Sequence, residues 1–312
     1  MKKYLFPLLV VVVLVAGFTS CKPDDEIFDP KCKISKIWYR SDVGSPNEIY
    51  LYDKKGNLEE IIIDDLDFFN FFYNKDKTVS EIEHKGEAYT EKIEFSWTDR
   101  LVDKIAYSID GVEHLTYTFY RHTDKKDPAR ERIDYIEVKY DPVFYDSLFF
   151  NPKNIKHPLY DKVFGDYKHI ADIMAKNNVK GQDLEIYSVK HFTYAPGKNK
   201  KYENIEKLVE EFPTLNTVIT HIYSYQYDSI VPVVYNPFYG LPYAYADIKG
   251  YSLNLPVSEY VERVVASSTY EENITYIYEG KHFMNDKHYP RQFKTISSDN
   301  NIPYYTYILY KK

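Results

Sequence analysis

The chain has 312 residues, 40 basic and 47 acidic side chains for a net charge of −7, and 34 tyrosines beside 18 phenylalanines, 2 tryptophans and 2 cysteines. That length buries a sizeable core as one large domain or two, and 44% hydrophobic with 28% charged residues excludes a disordered or fibrous chain. The acidic balance excludes an electrostatic footprint for nucleic acid.

The first residues carry the most specific signal. Lys2 and Lys3 give a basic start, Leu5 to Ala16 is apolar apart from Pro7, and Gly17-Phe18-Thr19-Ser20 leads into Cys21. This is the charged, apolar, small-residue order of a secretory signal peptide, and the apolar run is short for a membrane span. Cys21 at the cleavage point resembles a bacterial lipobox, with Phe18 where Leu is usual; the resemblance implies acylation of the thiol and a lipid anchor. Residues 1–20 are read as the signal and 21–32 as a tether. Asp24-Asp25-Glu26 within it resembles the acidic tag that sends Bacteroidota lipoproteins to the outer face of the outer membrane; the alternative is a solvated linker. Removing residues 1–20 takes away Lys2 and Lys3 and brings the net charge from −7 to −9. Cys32 is then a lone thiol, expected to be buried and structural.

From Lys33 to about Asp141 apolar and polar residues alternate with the period of half-buried strands. Ile93, Phe95 and Trp97 share one face, and Lys92, Glu94 and Ser96 the other. An internal repeat runs through this region: Tyr50 to Ile61, Phe71 to Ile82, and a shorter copy from Phe95 to Ile105. Each is an aromatic strand, a polar turn and an aliphatic strand. A degenerate copy uses Tyr117 to Tyr120 and Ile133 to Val138. Asp53 opens its turn by bonding its own backbone, and Gly56 supplies a positive φ. Short turns force consecutive hairpins into an antiparallel meander, with Ile61, Ile82 and Ile105 on one face.

The pattern changes in the middle. Leu159, Val163, Phe164, Tyr167, Ile170, Ile173 and Met174 are spaced by three and four, which predicts a helix over about 158–177. Ile205, Leu208, Val209 and Phe212 predict a second over 202–212, ended by Pro213. Strands resume at Ile186–Tyr194, Thr217–Tyr227, Ile274–Tyr278, Gln292–Ile296 and Tyr304–Tyr310. Between them, 231–256 holds Pro232, Pro237, Pro242 and Pro256 and reads as a long irregular excursion.

The Tyr50–Ile61 unit resembles the tyrosine–aspartate repeats of large secreted β-shell proteins. Cys21, the repeats, Asn236-Pro237-Phe238, Asn254-Leu255-Pro256, Tyr276-x-Tyr278 and Tyr289-Pro290 together resemble a Bacteroidota lipoprotein family of unknown function with a porin-like fold. The resemblance implies an outer-membrane location and brings no catalytic residues. A lipid-facing barrel carries an apolar outer band and usually a terminal aromatic. This chain ends Tyr310-Lys311-Lys312 and many of its strands have one charged face. The expected fold is therefore mainly β: a water-soluble antiparallel meander over 33–312, forming a curved sheet or partly closed barrel, with one or two helices inserted at about 155–212.

No chemical signature stands out. The histidines at 84, 114, 122, 157, 169, 191, 221, 282 and 288 show no metal-ligand spacing. Nucleophile elbows and phosphate loops are missing from the sequence, and no cofactor is expected. Asp64, Asp65 and Asp67 lack the spacing of a calcium loop and read as an acidic turn. Ser147 and Ser229 follow Asp and precede an apolar residue, matching the O-glycosylation sequon of Bacteroidota. Tyr235, Tyr239, Tyr243 and Tyr245 in the excursion are candidate partner-binding rings for a glycan, peptide or protein, to be more than half exposed if so. The alternative is that they pack down and close one end of the sheet. These readings favour a surface lipoprotein that binds or scaffolds without catalysis; the alternative is a secreted hydrolase acting on a glycan or peptide.

Overall fold

Six stretches of the sequence share the spacing aliphatic-x-x-aliphatic, and each opens a strand. They begin β1 (Ile34–Tyr39), β3 (Leu58–Ile63), β5 (Val79–Lys85), β7 (Leu101–Ile109), β9 (Ile133–Tyr140) and β11 (Asn204–Phe212). Between them run β2 (Glu48–Tyr52), β4 (Asp67–Tyr73), β6 (Thr90–Thr98), β8 (Val112–Arg121), β10 (Tyr187–Ala195) and β12 (Thr217–Ser224). The chain finishes with β13 (Ser258–Val265), β14 (Ser268–Met284), β15 (Lys287–Ser297) and β16 (Tyr304–Tyr310). The computed structural model describes residues 32–40, 44–121, 132–141, 157–164, 187–195, 204–226, 236–238, 241–245, 251–265, 267–284 and 287–311.

Each strand pairs antiparallel with its neighbours in sequence, and β16 returns to pair with β1, closing a 16-strand barrel. The expected curved or partly closed sheet is thus corrected to full closure. Ile34 faces Tyr310, Ile37 faces Ile308 and Tyr39 faces Thr306 across the seam. Two terminal strands left apart would expose rows of unpaired N–H and C=O groups, and closure removes both edges.

The two faces of the barrel wall differ in chemistry. Ile61, Ile82 and Ile105 all point inward and are 1%, 0% and 0% exposed, in the equivalent positions that the repeat predicts. Each such side chain contributes about 1.5–3 kcal/mol by leaving water. Outward, the cross-strand rows read Glu60–Asn70–Glu83–Lys92 and Glu81–Glu94–Ala106–Thr116–Lys139. Ion pairs such as Lys92 with Glu81 (3.0 Å) and Lys104 with Glu113 (2.9 Å) lie on this outer face.

The aliphatic-x-x-aliphatic openings are β-bulges. Register slips after Ile34, Leu58, Val79, Val102, Ile133 and Ile205, where Ser35, Glu59, Ser80, Asp103, Asp134 and Glu206 are each the extra residue. The added residue lets positions i and i+3 both point inward, and all twelve flanking aliphatics are at most 3% exposed. Here the second expected helix is corrected: 204–212 is β11. The bulge at Glu206 gave Ile205 and Leu208 a helix-like spacing of three. Glu210, an inward polar residue, then hid the alternation from Leu208 to Phe212.

One α-helix stands among the described residues, α1 (Pro158–Phe164), shorter than the expected span; 165–186 lies outside the described residues. It sits inside the barrel. Phe164 stacks on Tyr117 at 5.3 Å between centroids, and Tyr160 meets Tyr107 at the same distance. The described parts of the excursion also occupy the interior. Tyr251 packs on Phe119 and Phe192, Phe238 on Phe293, and Asn254 bonds Asn204. The chain reaches α1 from the rim where β9 ends, and the excursion from the opposite rim, where β12 ends.

Candidate functional site

Apolar side chains predominate inside the barrel, with inward polar residues such as Ser188, Lys190 and Arg263 among them, and the carboxylates that project from the wall are the groups with chemical reach. Glu91, second in β6, is in phase with Ile93 and Phe95, so the same alternation that buries those residues buries it completely (0% exposed). Its Oε1 accepts from the Tyr107 hydroxyl (2.6 Å) and the Tyr160 backbone N–H (3.2 Å). Its Oε2 accepts from His84 Nδ1 (2.9 Å) and the Leu159 backbone N–H (3.3 Å). Two of these donors are first-turn amides of α1, which have no partner within the helix. Glu91 therefore caps the plug helix from the wall.

His84 lies between Glu91 and Asp67, with Nε2 at 3.1 Å from Asp67 Oδ1. Both ring nitrogens face carboxylates, an arrangement that favours the doubly protonated ring. Burial pulls its pKa down, but Glu91 and Asp67 more than offset this and hold it above the usual histidine value. Close by, His157 packs against Tyr89, and burial keeps its pKa low.

A second cluster forms around Glu48, which starts β2 in phase with Tyr50 and Tyr52. It accepts from Lys162 Nζ of α1 (2.7 Å), from the Tyr50 hydroxyl (2.7 Å) and from the Tyr39 hydroxyl. Burial would raise its pKa, yet the Lys162 ammonium and these hydrogen bonds keep it below the ordinary carboxylate range. Lys162 also stands 5.3 Å over the Tyr243 ring, whose hydroxyl is 3.2 Å from that of Tyr50. Glu48 thus meets the helix, the excursion and the wall together.

The third cluster lies on β12–β14. Glu259 accepts from His221 Nδ1 at 2.7 Å and from the Tyr276 hydroxyl at 2.5 Å. Burial pushes its carboxyl up, while His221 and the hydroxyls of Tyr276 and Tyr223 bring it below the usual value. A carboxylate orienting an imidazole is half of a catalytic arrangement. Among the described residues no serine, threonine or cysteine bonds to His221, so the nucleophile such a pair would activate is not placed there.

Chemically, these carboxylates are occupied. Glu91 has two donors on each oxygen, and Glu48 has three on the pair. A lone pair already bonded is not available to take a substrate proton. No group of three or more His, Cys, Asp or Glu side chains could hold a metal ion among the described residues. Asp64 and Asp65 form a turn with φ of 50° and 59°, and Asp67 is spent on His84.

Of the residues singled out in the sequence, Tyr243 is inside the barrel and 4% exposed, far from the half-exposed ring that partner binding requires. That expectation is corrected for Tyr243: its ring is held by Lys162 and Tyr50. Tyr245 ends the 3-10 turn Pro242–Tyr245. Cys21, Ser147, Ser229, Tyr235 and Tyr239 lie outside the described residues. Cys32 is buried, unpaired with any other cysteine, and its thiol is pushed up to about 12 by burial.

Comparison with solved structures finds a porin-like protein from Bacteroides vulgatus, with TM-score 0.43 and 10% identity, covering 90% of this chain and 99% of that one. A porin-like protein from Bacteroides uniformis has TM-score 0.43 and 14% identity, covering 89% of this chain and 96% of that one. TcdB2-TccC3 has TM-score 0.33 and 9% identity, covering 87% of this chain and 14% of that one. No family model matches the chain, and no curated protein matches it.

Proposed function

We propose that this protein is an outer-membrane lipoprotein, held by lipid on Cys21 and displayed at the cell surface, that binds or scaffolds without catalysis. One observation carries the reading: the polarity of the barrel is reversed from that of a lipid-spanning pore. Its inner wall is mostly apolar along β1–β9 and packed by α1 and the described parts of the excursion, while rows such as Glu60–Asn70–Glu83–Lys92 cross its outer face. An outward Lys at the bilayer midplane costs about 2–4 kcal/mol and an outward Glu somewhat less, and here such residues recur on successive strands. A barrel of this kind needs a separate attachment, and the lipobox supplies one. Glu91, with two donors on each oxygen, and Glu48, with three donors, support a structural role for the buried carboxylates over a hydrolytic one.

The test replaces residues 1–20 with an ordinary cleavable export signal and Cys21 with Ala. The expected product is folded and leaves the membrane on carbonate extraction, whereas wild type takes up labelled fatty acid and stays. A Cys21→Ala protein that remained in the outer membrane after extraction, or that gave channel conductance in planar bilayers, would overturn the reading.

A further inference from the structure

On β16, β1, β2, β3 and β4 the outer face gathers exposed apolar side chains, beside the charged residues Lys36, Glu59 and Glu60. One cross-strand row there runs Leu309–Lys36–Ile49–Ile62–Phe68, all pointing outward. Leu51, Phe72 and Leu309 on this face are 40%, 45% and 48% exposed, and Phe68 is 44% exposed. Trp38 and Tyr307 face each other beside the row, also outward. An apolar group of this extent, set on a wall otherwise crossed by ion pairs, marks a contact surface.

Its surroundings select the partner. The turn after β2 exposes Lys54 and Lys55, the turn after β4 exposes Lys75 and Lys77, and Lys311 follows β16. The acids in the same turns are folded back: Asp53 accepts from the Lys55 and Asn57 backbones, and Asp76 from Thr78. An apolar face edged at one rim by exposed lysines, on a chain whose net charge without residues 1–20 is −9, complements a layer with hydrocarbon below and phosphate at its surface. The lysine stems can lie along the apolar part while their ammonium groups reach the phosphates.

The chain itself enters here. Lys33 precedes β1 at this rim, and its carbonyl accepts from the Lys311 backbone N–H at 2.8 Å. Ten residues separate Cys21 from Cys32, which reach at most about 36 Å fully extended. A lipid on Cys21 would hold the rim at which β1 begins near the bilayer.

We infer that the β16–β4 face is a membrane-docking surface: Leu51, Phe68, Phe72 and Leu309 seat in the headgroup region of a phospholipid leaflet and the neighbouring lysines bind its phosphates. This rests on the lipid anchor proposed above. The test uses the lipidated protein beginning at Cys21 in phosphatidylethanolamine–phosphatidylglycerol vesicles, with an environment-sensitive fluorophore at Phe68→Cys or Phe72→Cys. Lys139→Cys and Ile277→Cys, on β9 and β14, are the controls; Ile277 is exposed and apolar but stands apart from the row. Buried Cys32 is shielded from the label. The expected result is blue-shifted emission at 68 and 72, mostly lost when nitroxide lipids are included, with both controls unaffected.

Emission at 68 and 72 matching the controls, in protein that still floats with the vesicles, overturns the docking face and leaves the anchor standing. Emission shielded from water yet untouched by nitroxide lipids, with a doubled mass in detergent, would assign the face to a second copy and overturn it as well. Wild-type protein that fails to float removes the anchor and the docking face together.

Discussion

The Tyr52 hydroxyl donates to the carbonyl of Ile34 at 2.8 Å, from the end of β2 back to the bulge that opens β1. The contact recurs along the wall. Tyr73 bonds the Leu58 carbonyl, Trp97 that of Val79, Arg121 that of Val102, and Tyr225 that of Ile205, at 2.7 to 3.0 Å. Tyr310 and Tyr278 bond the carbonyls of Pro290 and Pro256. A bulge interrupts the ladder and leaves a carbonyl without its strand partner. The side chain that ends the next strand supplies the missing donor. Tyrosine suits the task because its ring packs inward while its hydroxyl reaches the rim, which gives a physical reason for part of the tyrosine excess.

Tyr73→Phe keeps the ring and removes only that donor. The Leu58 carbonyl then lacks its side-chain partner, at an expected cost of about 1–3 kcal/mol. Denaturant unfolding reads this directly. A midpoint unchanged from wild type would mean that water replaces the hydroxyl without penalty.

Deleting Ser80 should be far more damaging. The bulge residue is what allows Val79 and Ile82, 2% and 0% exposed, to face inward together. Without it one register of the strand must rotate, sending apolar side chains outward and Glu81 or Glu83 inward. The expected outcome is protein that fails to fold or loses its cooperative transition, while Ser80→Ala changes stability by less than about 0.5 kcal/mol. A deletion variant with the wild-type transition would show that the bulge is dispensable.

The sequence was most legible where alternation was strict. Ile93, Phe95 and Trp97 were readable as one face, and extending the same phase by one step would have placed Glu91 inside. A carboxylate on an apolar face looks like an exception until its partners appear, and two of its four donors, the Leu159 and Tyr160 amides, come from 68 and 69 residues away. The Ile205–Leu208 spacing failed differently: a bulge and a helix both place residues i and i+3 together, and no local signal separates them once Glu210 breaks the alternation. Closure was hidden for a third reason. It depends on strand number and tilt across the whole barrel, which no single hairpin encodes.

Stability should fall at both ends of the pH scale, through different groups. Glu48 has a lowered pKa in the folded state, so its contribution is complete above the unfolded value, near 4.3, and is lost as pH falls through the folded value. His84, facing Glu91 and Asp67, has a raised pKa. Its contribution is complete below the unfolded value, near 6.5, and is lost as pH rises through the folded one. His157 is lowered and acts with the opposite sign, gaining as pH rises toward 6.5. Subtracting the pH profile of His84→Gln from wild type isolates the His84 term. A difference that stays flat from pH 5 to 9 would show that the ring does not titrate between its two carboxylates.

Glu91 is the residue on which the plug most depends. Its four donors come from three sources: the β7 hydroxyl of Tyr107, the β5 imidazole of His84, and the two opening amides of α1. In Glu91→Gln the amide oxygen can still accept, but the –NH2 replaces an acceptor with a donor facing donors. The His84 charge also loses its buried counter-ion, leaving only Asp67. Removing one partner of a buried pair costs about 3–5 kcal/mol, and Glu91→Gln should lose stability in that range. The loss should concentrate at the helix: Leu159, Tyr160, Val163 and Phe164 are all buried now, and loosening α1 exposes them to proteases that cleave beside aromatic residues. Glu94→Gln, three positions on and facing outward, is the control, expected within about 0.5 kcal/mol of wild type with no new cleavage. Equal stability for the two variants, or loss without cleavage between 157 and 164, would mean that the aromatic packing of α1 holds the plug without its cap.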